Sequence, residues 1–172
     1  MLSDNVNLDS SGSTDFFTHW LASARQRLEG LARTAGTTLG HLERALLEDL
    51  HRLGVPLLTH AANLQAQATP FLCPHCQQPL GREAKDHGRN IDSVVGRLRA
   101  QRDYGWCPQC QDWSYPADAR WGLQPNAPAS PRVQEMAAAA VLNMPCAEAE
   151  KSLPRMGGCS LSATTLHRAA RR

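Results

Sequence analysis

A mainly α-helical chain with one small metal-held β hairpin is predicted by three observations. Two Cys-Pro-x-Cys pairs, Cys73/Cys76 and Cys107/Cys110, bracket a stretch with strand character. Leucine-rich seams of helical period precede them. A set of short helices marked by Pro and Gly follows. At 172 residues the chain has room for one or two small domains. Aromatic residues make up only 5%, and no run of apolar residues approaches membrane-spanning length.

Residues 1–13 are polar and Ser/Asp-rich and read as a disordered lead-in. Residues 14–70 form a helical region that packs on itself or oligomerises. Phe17, Leu21, Ala24, Leu28, Leu31 and Ala35 are spaced by alternating fours and threes, the seam of an amphipathic helix. A second stripe runs through Leu39, Leu42, Leu46, Leu50 and Leu53. Gly and Thr between the stripes are poor helix residues, which places a break near 36–40 and gives a helical hairpin, with one continuous bent helix as the alternative because the seam nearly keeps register across the break. The second helix is expected to end or kink at Gly54-Val55-Pro56, because proline removes a donor and disfavours helix before it. His41, His51 and His60 are too far apart to share a helix turn as ligands.

Residues 71–121 are the metal-organised part. A thiolate pair two residues apart grips one Zn²⁺ from a tight turn, and a second pair completes the tetrahedron. The proline inside each pair pre-sets its turn. Residues 89–95 and 97–106 read as two extended runs turning near Gly96. Leu98, Ala100, Arg102, Tyr104 and Trp106 share one face of the second run, and Arg97, Arg99, Gln101 and Asp103 share the other. A hairpin with a cysteine turn before it and another after it is the plan of a zinc ribbon. The metal is structural, since four cysteines, Cys73, Cys76, Cys107 and Cys110, leave no open position for water or substrate. His75 and His87 are alternative ligands that four cysteines make unnecessary. CPHC also resembles a thioredoxin-like redox motif, but Pro79 and Gly81 stop any helix within a turn. Disulfides are disfavoured because no apolar signal segment opens the chain.

Residues 122–130 form a Pro/Ala/Ser linker. Residues 131–172 carry three short helices. Ser130-Pro131 caps the first, the second starts after Pro145 and stops at Pro154, and Ser162 caps the third. Short helices ending in a polar, basic one suggest a helix-turn-helix. Thr164, Thr165, His167 and Arg168, together with Ala163, would then face base edges, and Arg171 and Arg172 phosphates. Arg97 and Arg99 are further candidates for DNA contact, although a solvated sheet face would look the same. Charge supports a polyanion at this end. Seven basic groups face three acids in residues 120–172, whereas five arginines face seven acids in residues 1–70. Cys146 and Cys159 read as small buried thiols.

The order of these parts resembles the N-terminal portion of bacterial insertion-sequence transposases of the ISKra type. The likeness is carried by CPHC, by RNIDSVVGRLRAQRDYGWCPQC, by YPAD leading to WGL, and by EAEKSL and LSATTLHR. It covers about residues 40–172 and implies a zinc ribbon and helical region that recognise the ends of a mobile element. In such transposases a ribonuclease-H-like domain follows, with an Asp-Asp-Glu triad that holds catalytic metals. The chain is therefore expected to be a truncated, bacterial DNA-binding part of a transposase, cytoplasmic and nucleoid-associated, and not an enzyme by itself. Its expected partners are the element-end DNA and a second copy bound through the N-terminal helices. The alternative is a zinc-ribbon interaction module without direct DNA contact.

Overall fold

The computed structural model describes residues 13–157 together with positions 161, 162 and 166. It is mixed in class, with five helices and one three-stranded antiparallel sheet among those residues. The chain divides into two compact units whose boundary falls at Leu57/Leu58, inside the second helix.

In the first unit α1 spans Ser13–Ala32 and α2 spans Leu39–Gln67. Gly36 takes φ +82 in the break between them, a backbone region that glycine enters without steric cost. The buried contact here is small: Ala24, Ala45 and Asp49. Arg27 reaches across to donate to Asp49 Oδ2 at 3.0 Å and to the Ala45 carbonyl, so the two helices are fixed by a polar clasp as much as by packing. The α2 stripe read from the sequence splits in two. Leu42 and Leu53 are half-buried, whereas Leu39, Leu46 and Leu50 face solvent.

Of the end or kink expected at Pro56, the end is not observed. Proline lies inside a continuous α2, at a cost of about 3 kcal/mol. Tertiary contacts downstream offset it. Trp121 Nε1 donates to the Ala62 carbonyl at 3.3 Å, and Asn63 Oδ1 accepts from the Gln101 N–H at 2.8 Å. The Leu, Ala and Gln residues after Pro56 are good helix formers, so the helix resumes at once.

In the second unit β1 (Gly81–Ser93), β2 (Gly96–Cys107) and β3 (Asp112–Ser114) pair in that order. β1 begins eight residues before its expected start at Arg89, and β3 has no counterpart in the sequence reading. The early part of β1 is polar and irregular, with register shifts at Arg82/Ala84 and Ala84/His87, so it carries no two-residue hydrophobic alternation. Gly105 is required at its place in β2. A Cβ there would lie 2.1 Å from the Gly81 carbonyl oxygen and 2.9 Å from the Phe71 ring.

Residues 122–130 pack against the sheet. Ala127 and Ala129 are buried, Asp92 N–H donates to the Pro128 carbonyl at 2.7 Å, and Ser130 N–H donates to the Asp92 carbonyl at 2.9 Å. A short helix α3 (Pro116–Arg120) lies against β2. Its Asp118 accepts from both Arg89 and Arg102, and all three side chains are buried. Arg89 also donates to the carbonyls of Ala127 (2.6 Å) and Gln124 (3.2 Å), which ties 122–130 to the same cluster.

α4 (Pro131–Asn143) starts where Ser130 accepts from the Val133 N–H at 3.4 Å. α5 spans Cys146–Gly157 and carries Pro154 inside it, so the expected stop at Pro154 gives way to another turn. Val133, Ala137, Ala149 and Leu153 close a core with Leu161 and Leu166, and that packing favours extending the helix. The Leu166 N–H donates to the Ser162 carbonyl at 3.0 Å, the spacing of a helical turn.

Removing the Asp118 carboxylate would strand two guanidinium groups in a buried site. Asp118→Ala is expected to lower stability by about 3–5 kcal/mol, read as a fall in the urea midpoint of the metal-loaded chain.

Candidate metal centre

Two turns of the same construction converge at one end of the sheet. In the first, Cys73 N–H donates to the Gln78 carbonyl (2.8 Å) and Gln77 N–H donates to the Cys73 carbonyl (2.9 Å). In the second, Gln111 N–H donates to the Cys107 carbonyl (2.8 Å). The residue after each pair, Gln77 or Gln111, adopts φ of +60 or +53, which turns the chain away from the sulfurs. A bridge between Leu72 and Pro79 closes the first loop, and β3 pairing with the end of β2 closes the second. The sequence signal for this symmetry is the repeated Cys-Pro-x-Cys-Gln. Its glutamines hide the turn because glycine is the usual residue in that conformation.

The four sulfurs of Cys73, Cys76, Cys107 and Cys110 all lie within 4.8 Å of one another. Cys73 to Cys110 is 3.8 Å and Cys76 to Cys107 is 3.5 Å. A disulfide needs about 2.05 Å, and all four thiols are free. A tetrahedron with metal–sulfur bonds of about 2.3 Å has edges of about 3.8 Å. The donor set therefore fits one tetrahedral, thiophilic metal ion. Cys73 and Cys107 are buried, Cys76 is half-buried and Cys110 is exposed, with Leu80 and Phe71 covering the inner side.

The protons are unevenly held. The Cys76 backbone N–H, helped by that of His75, holds the Cys73 thiol down at about 6 against the effect of burial. Cys110 is pushed up to about 12, first by its hydrogen bond with the Cys76 sulfur and then by burial. Cys76 is raised as well. The Gln78 N–H pulls it down, but burial and the Cys107 sulfur outweigh that pull. One thiolate is easily formed, and hydrogen bonds between the sulfurs together with burial hold protons on Cys76 and Cys110 until a cation arrives.

The histidine alternatives fall away. His75 is exposed, and His87 stacks edge-on against Tyr104 at 5.6 Å. Among the described residues the metal-competent cluster contains the four cysteines alone. The first pair sits in a turn and not at the head of a helix, so the redox arrangement is not the one observed. Arg97 and Arg99 are both exposed on one face of β2. Arg97 Nε donates to Asp92 Oδ1 at 2.8 Å, whereas Arg99 crosses over Gly88, whose missing Cβ would lie 3.2 Å from its Nε. Thr164, Thr165, His167, Arg168, Arg171 and Arg172 lie outside the described residues, as do Ala163 and Cys159.

No protein-family model matches this chain, and no curated protein matches it either. Among the described residues no helix is long and apolar enough to cross a membrane.

Metal binding must release protons from Cys76 and Cys110, whose thiols stand above their ordinary range. Protons compete with the metal for the same sulfurs, so affinity falls as pH falls. A chelator competition run from about pH 8 to about pH 5 should show progressive loss of bound metal, with proton release at the upper end.

Proposed function

We propose that this chain is a zinc-dependent DNA-binding module of the transposase type, which recognises the ends of a mobile element. The observation that carries the reading is the four-sulfur cluster at tetrahedral spacing, placed where the sheet ends. The metal is Zn²⁺ held structurally. Four thiolates complete its coordination and leave no position for a reacting water. The sheet and its two cysteine turns form a zinc ribbon, a unit too small to offset its ordering entropy without the metal.

Duplex DNA is assigned to the basic end of the chain and to Arg97 and Arg99. Arg99 is exposed with no ion-pair partner among the described residues, which suits a phosphate contact. Arg97 is held by Asp92 and contributes less. The helix-turn-helix reading rests on α4, α5 and the helical turn ending at Leu166, packed around one core, and its base-reading positions are those expected from Thr164 onward. Zinc-loaded protein in a gel shift should prefer duplexes carrying the element's terminal repeats over random duplexes. Binding should weaken steeply as salt rises, and Arg99→Ala should shallow that salt slope by about one unit. Equal binding to random DNA would remove the specific reading.

One observation favours a second reading, a module for association with another copy. Leu39, Leu46 and Leu50 lie within one narrow stripe of α2, and Leu47 beside them is exposed too. Among the described residues of the first unit the fully buried apolar side chains are alanines, with several larger ones only half-buried, too little to account for so leucine-rich a surface. Light scattering on the full chain should give a dimer, and Leu46→Glu with Leu50→Glu should give a monomer that retains its metal.

A further inference from the structure

The chain has few aromatic residues, nine Phe, Trp and Tyr in all, and four of them stand in one row on the sheet. Trp106 pairs in register with Trp113 across β2 and β3, ring centroids 5.4 Å apart. Trp113 meets Tyr104 at 5.5 Å, and Tyr104 meets Tyr115 at 5.3 Å. His87 closes the row against Tyr104. Tyr104 and Trp106 alternate with Asp103 and Gly105, so the row lies on the face of β2 opposite to Arg97 and Arg99.

These rings are not a core. Trp106 is 36% exposed and Trp113 is 47% exposed, the two largest side chains of the row at its open end. The surface is also not a groove. Among the described residues, two clefts of about 350 and 450 Å³ are lined by none of the five rings. The rings meet edge to face, Trp106 and Trp113 at 70° and Tyr104 and Trp113 at 65°, and the exposed indoles of Trp106 and Trp113 suit a flat partner that offers its own ring face. A base in a duplex has both faces covered by its neighbours, whereas an unpaired base has a face to give.

A guanidinium backs the row. Arg102 lies under Tyr115, its Cζ 3.8 Å from the ring centroid. Arg102 and Arg89 share the single carboxylate of Asp118, so this buried group carries one uncompensated positive charge. Lys85, exposed in the irregular part of β1 between the partners of Tyr104 and Arg102, adds a cation at the margin. Asp86 and Asp112 at the edges keep the net charge small, which leaves stacking as the main source of affinity.

We propose that this row is a stacking platform for the unpaired bases of single-stranded DNA. The choice of DNA rests on the function proposed above; the choice of an unpaired strand rests on the row itself. Such a site differs from the duplex-binding surface in its residues and in its salt dependence, which is shallow where few phosphates are neutralised.

The test titrates the zinc-loaded full chain with a short fluorescein-labelled oligothymidylate, following tryptophan fluorescence in the parent chain and the anisotropy of the labelled strand in every variant. Quenching with saturable binding is expected. Trp106→Ala with Trp113→Ala should weaken binding roughly ten- to a hundredfold. Phenylalanine at both positions should largely restore it, and Trp121→Phe should leave it unchanged. Zinc content and circular dichroism identify any variant that has lost its fold, and the phenylalanine pair then carries the comparison. Absence of quenching overturns the proposal, as does undiminished binding by a folded alanine pair. Binding of oligouridylate or of a proline-rich peptide in place of oligothymidylate overturns it too. Loss of duplex binding with single-strand binding intact would count against the repeat-recognition reading alone.

Discussion

Four sulfurs that repel one another when ionised are held within a few ångströms by two backbone turns. The structure around the sheet depends on relieving that repulsion. Hydrogen bonds from backbone N–H groups stabilise one thiolate, at Cys73, while a hydrogen bond with the Cys76 sulfur and burial hold the proton on Cys110. Only a cation can hold all four at tetrahedral distance with their protons gone. The turns keep this arrangement ready because each spans five residues and closes with its own backbone bond. The sheet contributes the long-range part by bringing Cys107 back beside Cys76, 31 residues earlier.

The other end of the sheet is held by a different kind of contact. Asp118 binds two arginines from two strands, and one of those arginines also satisfies two carbonyls of the segment before α4. A buried ion cluster is a costly way to join elements, since desolvation cancels much of the attraction. It does impose geometry, because a planar guanidinium with several donors accepts few orientations. The consequence is a sheet with two differently built faces: exposed Arg97 and Arg99 on one, and an aromatic row backed by positive charge on the other. The two proposed modes of nucleic-acid contact, phosphate-led and stacking-led, would thus use separate surfaces on one small scaffold.

The metal site was the most legible feature. Ligand spacing is a local property, and Cys-Pro-x-Cys repeated thirty residues apart admits few arrangements. The hairpin turn at Gly96 and the Ser130-Pro131 helix start were legible for the same reason, since each rests on adjacent residues. Element ends were less so. Pro56 and Pro154 are breakers by local chemistry, yet both sit inside helices because contacts made elsewhere outweigh one lost hydrogen bond. The early half of β1 and the three-residue β3 have no pattern of their own and exist through pairing with β2.

Sequence alone determined which four residues form the metal-competent set and that a turning pair of strands joins them, because both follow from spacing along the chain. Tertiary structure decided which surfaces remain open. Tyr104 and Trp106 were legible as sharing a face, but their union with Trp113, Tyr115 and His87 into one partly exposed row needs the register of three strands. The division of the α2 leucines into covered and uncovered stripes likewise depends on where α1 lies. Periodicity identifies a face; only packing determines whether another part of the same chain covers it.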